Sequence, residues 1–218
     1  MSLLDRIMIP KYSLGEEITN AILHGVGTLL SIAALVLCVI FSAIHGNGYA
    51  VVSSCIYGST LIILYTMSCL YHSLKVNRAK KVFRIIDHCS IFLLIAGTYT
   101  PFTLVSLNGI VGWVMFSVIW CSAILGIVLN TINLNKYKKI SMILYITMGW
   151  AVIFSFKHLV EAIEIGGIYL LLAGGIIYTI GAIFYGIGKK LKYMHSLFHF
   201  FVLVGSILHF FSILLYVI

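Results

Sequence analysis

Seven apolar stretches of about 20 residues or more, near 18–43, 49–74, 85–105, 111–131, 140–160, 167–188 and 194–218, leave this chain almost no choice of solvent. A helix rising ~1.5 Å per residue crosses a hydrocarbon layer ~30 Å thick in about 20 residues. The stretches are continuously apolar and lack the in-and-out alternation of short barrel strands, so an outer-membrane barrel is excluded. With 61% hydrophobic residues, 9% charged residues and a mean hydropathy of +1.11 over 218 residues, a soluble domain is excluded too. The sequence predicts an all-α integral membrane protein: one seven-transmembrane helix bundle over 1–218, with 1–17 preceding the first span.

The basic residues give that bundle an orientation. Arg6 and Lys11 precede the first span, Lys75, Arg78, Lys80, Lys81 and Arg84 follow the second, Lys136, Lys138 and Lys139 follow the fourth, and Lys189, Lys190 and Lys192 follow the sixth. The intervening connections hold little more than Lys157. The positive-inside rule then puts the N-terminus in the cytoplasm and the C-terminus outside, which needs an odd number of spans. The formal charge of +8 borders apolar spans and forms no separate basic domain, so its expected counter-charge is anionic lipid and not nucleic acid. The first 17 residues lack the pattern of a signal peptide, and the first span is expected to act as an uncleaved signal. All five cysteines lie within spans, where no disulfide framework is expected.

Two features concern packing. Gly167, Gly174, Gly181 and Gly188 recur every seven residues, predicting a smooth strip for a neighbouring helix. Pro101 frees a backbone carbonyl and predicts a kink near the end of the third span.

The chemistry lies in polar residues that share a depth. His72 sits three residues before Lys75, Asp87 three after Arg84, and His195 three after Lys192. All three are therefore about 4–5 Å inside the cytoplasmic edge. Ser68 and His199, seven residues from the same flanks, lie about 10 Å in. His195 and His199 share a helical face, as do Glu17, Asn20 and His24 at i, i+3 and i+7 in the first span. Imidazoles stripped of water need a partner.

Three neutral histidines and one open position describe a catalytic zinc site, with His72, His195 and His199 as ligands. Zinc lowers the pKa of a bound water to about 7, Asp87 can serve as its general base, and Ser68 can orient a ligand or stabilise an oxyanion. Glu17, Asn20 and His24 can support these ligands from behind. Each residue also has a plainer role. His195 and His199 can bridge helices by hydrogen bonds, Asp87 can cap the third helix, and Ser68 can bond back to the carbonyl four residues earlier. His24, His45, His88, His158 and His209 can be packing or interfacial residues, and Cys69 and Cys89 lie close enough in depth to offer ligands.

Together these residues resemble the hemolysin III and progestin/adiponectin receptor family over nearly the whole chain. The resemblance rests on Glu17-x-x-Asn20-x-x-x-His24, on Ser68-x-x-x-His72 followed by Asp87 and Gly97-x-Tyr99-x-Pro101, and on His195-x-x-x-His199 followed by His209. Short loops make the chain look like the bacterial hemolysin III branch. The resemblance implies a zinc ion on His72, His195 and His199 near the cytoplasmic face, with Asp87 beside its water and Ser68 nearby. It also implies kinship with membrane hydrolases that include alkaline ceramidases, and residence in the bacterial cell membrane.

Three functions are expected to compete. One is a zinc-dependent hydrolase of a membrane-lipid amide or ester, with acyl chains in a groove between helices. Another is a cytolysin that damages membranes, although a pore needs a polar lining through both leaflets and the outer halves here are poor in such residues. The last is a non-catalytic sensor or regulator of membrane state in which zinc only fixes the helices. The expected partners are membrane lipids and zinc, without nucleic acid. A heme held by the paired histidines is a weaker option.

Overall fold

A computed structural model describes Leu4, residues 7–187 and residues 191–218 of the protein. Arg6, Gly188, Lys189 and Lys190, which entered the orientation and glycine-strip expectations, lie outside the described residues. The described residues are helical almost throughout: α1 Leu14–His45, α2 Gly48–Ser73, α3 Arg78–Pro101, α4 Gly109–Gly149, α5 Phe156–Ala162, α6 Ile165–Ile187 and α7 Met194–Tyr216. Among them, six helices are long and apolar enough to cross a membrane, with α4 and the short α5 falling in one continuous stretch.

Polar side chains set where the helices begin. Ser13 and Glu16 form a reciprocal capping box on α1. Asn47 accepts from Ala50 N at 3.1 Å to start α2, and Asn77 accepts from Lys80 N at 2.9 Å to start α3. Pro101 ends α3, and the chain continues as a π-helical turn over Phe102–Ser106 because proline has no N–H for the regular ladder.

The apolar stretches near 111–131 and 140–160 meet on α4, which is not straight. Asn133 is non-helical, with φ −163° and ψ 91°, and its side chain caps the following turn by accepting from Lys136 N at 3.0 Å. Ser141 Oγ donates to Asn130 Oδ1 at 2.6 Å. Eleven residues of straight helix would separate those positions by about 16 Å, so the chain turns back on itself at Asn133.

Helix α1 buries small and polar residues and exposes large apolar ones. Asn20, His24, Gly27, Ser31, Ala34 and Cys38 face inward, while Leu14, Ile22, Leu29 and Ile44 are each more than 60% exposed. That is the arrangement expected where lipid solvates the outside and close backbone approach holds the inside. The glycine strip of α6 faces α7: Gly174 lies against the His209 ring and the Gly205 carbonyl, and Gly181 against Phe201. Gly174→Val is expected to cost about 1–3 kcal/mol by overpacking this seam, seen as a lower unfolding temperature in detergent. Gly175→Ala, whose new methyl would meet only Trp150 at 3.9 Å, should leave that temperature nearly unchanged.

The starts of α1 and α7 lie on the same side of the bundle. Glu16 Oε1 accepts from the backbone N–H of Tyr193, which adopts a left-handed φ of 61° immediately before α7. The end of α2 and the start of α3 join them there, because Lys80 bonds both Glu17 and the Leu74 carbonyl. All five cysteines are free.

Candidate metal centre

On that side, α2 delivers His72 from its last turn and α7 delivers His195 and His199 from its first. His199 Nε2 lies 3.1 Å from His72 Nε2 and 3.0 Å from His195 Nε2. The three rings are buried, with 2%, 7% and 2% exposure for His72, His195 and His199. Among the described residues this is the one cluster of three or more histidine, cysteine or acidic groups able to converge on an ion.

The surrounding bonds fix which nitrogens face inward. Glu17 Oε2 accepts from His72 Nδ1–H at 2.7 Å, so His72 presents a lone pair on Nε2. Asn20 Nδ2 lies 3.4 Å from the same Nδ1. His24 Nε2 sits 2.7 Å from His199 Nδ1; with the proton on Nδ1, His199 too presents its Nε2 lone pair. His195 Nε2 faces the same point, and the three nitrogens lie within 4.8 Å of one another, so lone pairs on all of them repel unless a cation or proton lies between. Imidazole nitrogens ~2.0–2.1 Å from a tetrahedral zinc stand roughly 3.3–3.4 Å from one another, so this donor set fits zinc. Cys69 and Cys89 are not part of it: Cys89 Sγ instead points to the Ile127 carbonyl at 3.8 Å.

Asp87 does not cap α3, which Asn77 caps; it lies in the helix interior and is 8% exposed. Its Oδ2 is 3.4 Å from His88 Nδ1, while that nitrogen also lies 2.9 Å from the Arg84 carbonyl. Ser68 does not bond back to its own helix. Its hydroxyl neighbours Asp87 but makes no well-directed hydrogen bond, and it is buried. His209 lies apart from the cluster, with Nε2 donating to the Leu171 carbonyl at 3.0 Å.

Four residues beyond the sequence expectations, Tyr12, Lys80, Lys81 and Arg84, join or brace the site. Tyr12 stacks on His195 at 4.9 Å and 13°, covering the centre from the N-terminal segment. Burial pushes its phenol well above the ordinary tyrosine range, so it is neutral. Arg84, bonded to the Met8 carbonyl, and Lys81, bonded to the Leu4 carbonyl at 3.0 Å, hold that segment down. Lys80, Arg84 and Asp87, at i, i+4 and i+7, form one buried stripe on α3. That spacing was the available sequence signal, hidden because the two cations also read as a basic flank.

A cavity of about 170 Å³ opens from the centre between α3, α4, α6 and α7. Asp87, His195, His199 and Lys138 line one part of it, and Ile95, Met142, Phe198 and Val202 line its apolar walls. It reaches Tyr99 on α3 and His209 on α7, about 18 and 21 Å along those helices from Asp87 and His195.

Residues 12–210 match the family described as "Haemolysin-III related", which takes in every residue of the centre. The chain belongs to this family. As a haemolysin-III related protein it is a multi-pass integral membrane protein, and members of the family are bacterial membrane proteins. It is 46% identical to "Hemolysin-3" of Bacillus cereus over 202 residues, covering 93% of this chain and 92% of that one. It is 42% identical to the "Hemolysin-3 homolog" of Bacillus subtilis (strain 168) over 205 residues, covering 94% and 96%. At 26% identity over 206 residues, 91% of this chain and 83% of the other, it also matches the human "Monocyte to macrophage differentiation factor". The family's distant relatives lie among the progestin and adiponectin receptors, as the motifs implied.

Proposed function

We propose that this protein is a zinc-dependent hydrolase of a membrane-lipid amide or ester, working at the cytoplasmic side of a seven-span bundle. The observation that carries this reading is the junction between a converging three-histidine centre and a long apolar cavity. Such a cavity can hold an acyl chain with the polar linkage at the histidines. Zinc bound there supplies a Lewis acid and a water acidified to near neutrality.

The chain's own groups do the rest. Glu17 and His24 hold His72 and His199 in the tautomers that present Nε2. Asp87, in the cavity wall, accepts the proton of the attacking water on its carboxylate and returns it to the leaving group. Ser68, with an unpaired hydroxyl beside Asp87, is placed to donate to the oxygen on which charge develops. Tyr12 and the segment behind it shield the centre from bulk water.

Seven crossings are supported by parity. α1 and α7 start on the same side, so the chain crosses an even number of times before α7 begins. With single crossings by α1, α2, α3 and α6, the reversal at Asn133 makes α4 and its continuation cross twice. Lys138 shares the cavity lining with Asp87 and His195, which supports a cytoplasmic centre under the positive-inside rule. Lys139→Cys is accordingly expected to react with a membrane-impermeant maleimide only from the cytoplasmic side, and Gly48→Cys only from the outside. Labelling of both from one side would overturn the topology.

Metal analysis of the detergent-purified protein, with turnover measured across amide- and ester-linked membrane lipids, tests the function. About one zinc per chain with turnover supports it; zinc without turnover on any lipid favours the sensor; a protein without zinc removes the reading. The name of the Bacillus cereus relative favours a lytic role. Lipid hydrolysis itself damages membranes, and the apolar cavity walls do not suit an ion path.

A further inference from the structure

Lys80 belongs by position to the basic run after α2, yet it is only 2% exposed, whereas Lys75 and Arg78 of the same run are open to solvent. Its ammonium donates to Glu17 Oε1 at 2.6 Å and to the Leu74 carbonyl at 2.9 Å, and lies 5.0 Å from the centroid of the Tyr71 ring. A topology signal needs no such burial, and burying an ammonium is costly unless its partners are well placed. Each partner here leads to His72. Glu17 divides its carboxylate between Lys80 and His72 Nδ1, Leu74 follows His72 by two residues, and Tyr71 precedes it.

We propose that Lys80 is a positioning residue of the histidine centre: it holds Glu17 so that Glu17 can hold His72. Within the chain His72, Glu17 and Lys80, the side chains of His72 and Lys80 are 0% and 2% exposed, and that of Glu17 is 17% exposed. Glu17 is therefore the one member with a way out to solvent. Lys80 closes that way by fixing Oε1, which leaves Oε2 aimed at Nδ1 and the His72 lone pair aimed at His199. Its second bond, to the Leu74 carbonyl, anchors the ammonium in place beside Glu17 Oε1. The inference rests on the reading of the centre as a metal site and assigns a residue that the ligand set alone does not contain.

Zinc affinity, measured by chelator competition on detergent-purified wild type, Lys80→Met, Glu17→Ala and the double variant, tests it. Lys80→Met is expected to weaken zinc binding about 10–100-fold, the usual effect of removing a group that orients a ligand. Because Lys80 acts through Glu17, the double variant should bind no more weakly than Glu17→Ala alone. An equal penalty in both backgrounds would mean that Lys80 only ties helices together, and would overturn the proposal, as would an unchanged affinity in Lys80→Met. If Lys80→Met does not accumulate folded, Lys80→Gln carries the same comparison with a neutral donor, and the same outcomes decide. A wild type that binds no zinc fails the metal reading itself, which is distinct from a zinc-binding wild type whose affinity ignores Lys80.

Discussion

His199→Ala is expected to abolish stoichiometric metal binding, taking the purified protein from about one zinc per chain to a trace. His199 is the hub of the cluster: its Nε2 faces both other ligand nitrogens, and its Nδ1 meets His24. Two remaining imidazoles cannot complete a site that uses three, and His24, whose Nε2 points at His199 and not at the centre, cannot substitute without its helix moving. The matching control is His209→Ala on the same helix. Its ring bonds the Leu171 carbonyl and takes no part in the cluster, so its zinc content should equal that of wild type. Unchanged zinc in His199→Ala, with the protein still folded, would refute the ligand assignment.

The second large effect is expected at Asp87. Asp87→Ala should lower lipid hydrolysis by about 10²–10⁴-fold, the range for losing a positioned general base, while most of the zinc remains. The separation follows from where Asp87 sits. It lines the cavity and pairs with His88, but it contacts none of the three ligand nitrogens through a hydrogen bond. Loss of zinc in parallel with activity would make Asp87 a support of the metal and not the base. Full activity would remove it from the chemistry.

Much of this site was legible because a bilayer makes polarity informative. In water, a histidine on a helix says little; inside an apolar span it is costly, and its distance from the nearest basic flank fixes its depth. That logic puts His72 and His195 in one layer and His199 one turn deeper, and the structure places the Nε2 atoms of His72 and His195 against that of His199. It also drew attention to the Glu17, Asn20 and His24 face, which meets His72 and His199. The same logic missed Lys80 and Arg84. A basic residue at a span end satisfies the positive-inside pattern whether it points to water or turns inward, and hydropathy cannot tell these apart. Tyr12 escaped because it lies outside any span, in a segment without periodicity, and only its stacking on His195 gives it a role. The turn at Asn133 was legible as a gap between two apolar stretches, but its sharpness depends on bonds between Asn130 and Ser141 that periodicity does not encode.

Composition and the spacing of polar residues by themselves determined the solvent and the helical class, because hydrocarbon tolerates no unpaired backbone and few buried charges. Only the tertiary structure decided which lone pairs converge, which cation is buried and where a chain-length cavity opens. Those outcomes depend on how six long helices rotate against one another, and rotation is set by packing of small residues such as Gly174 and Gly181 at contacts far apart in sequence.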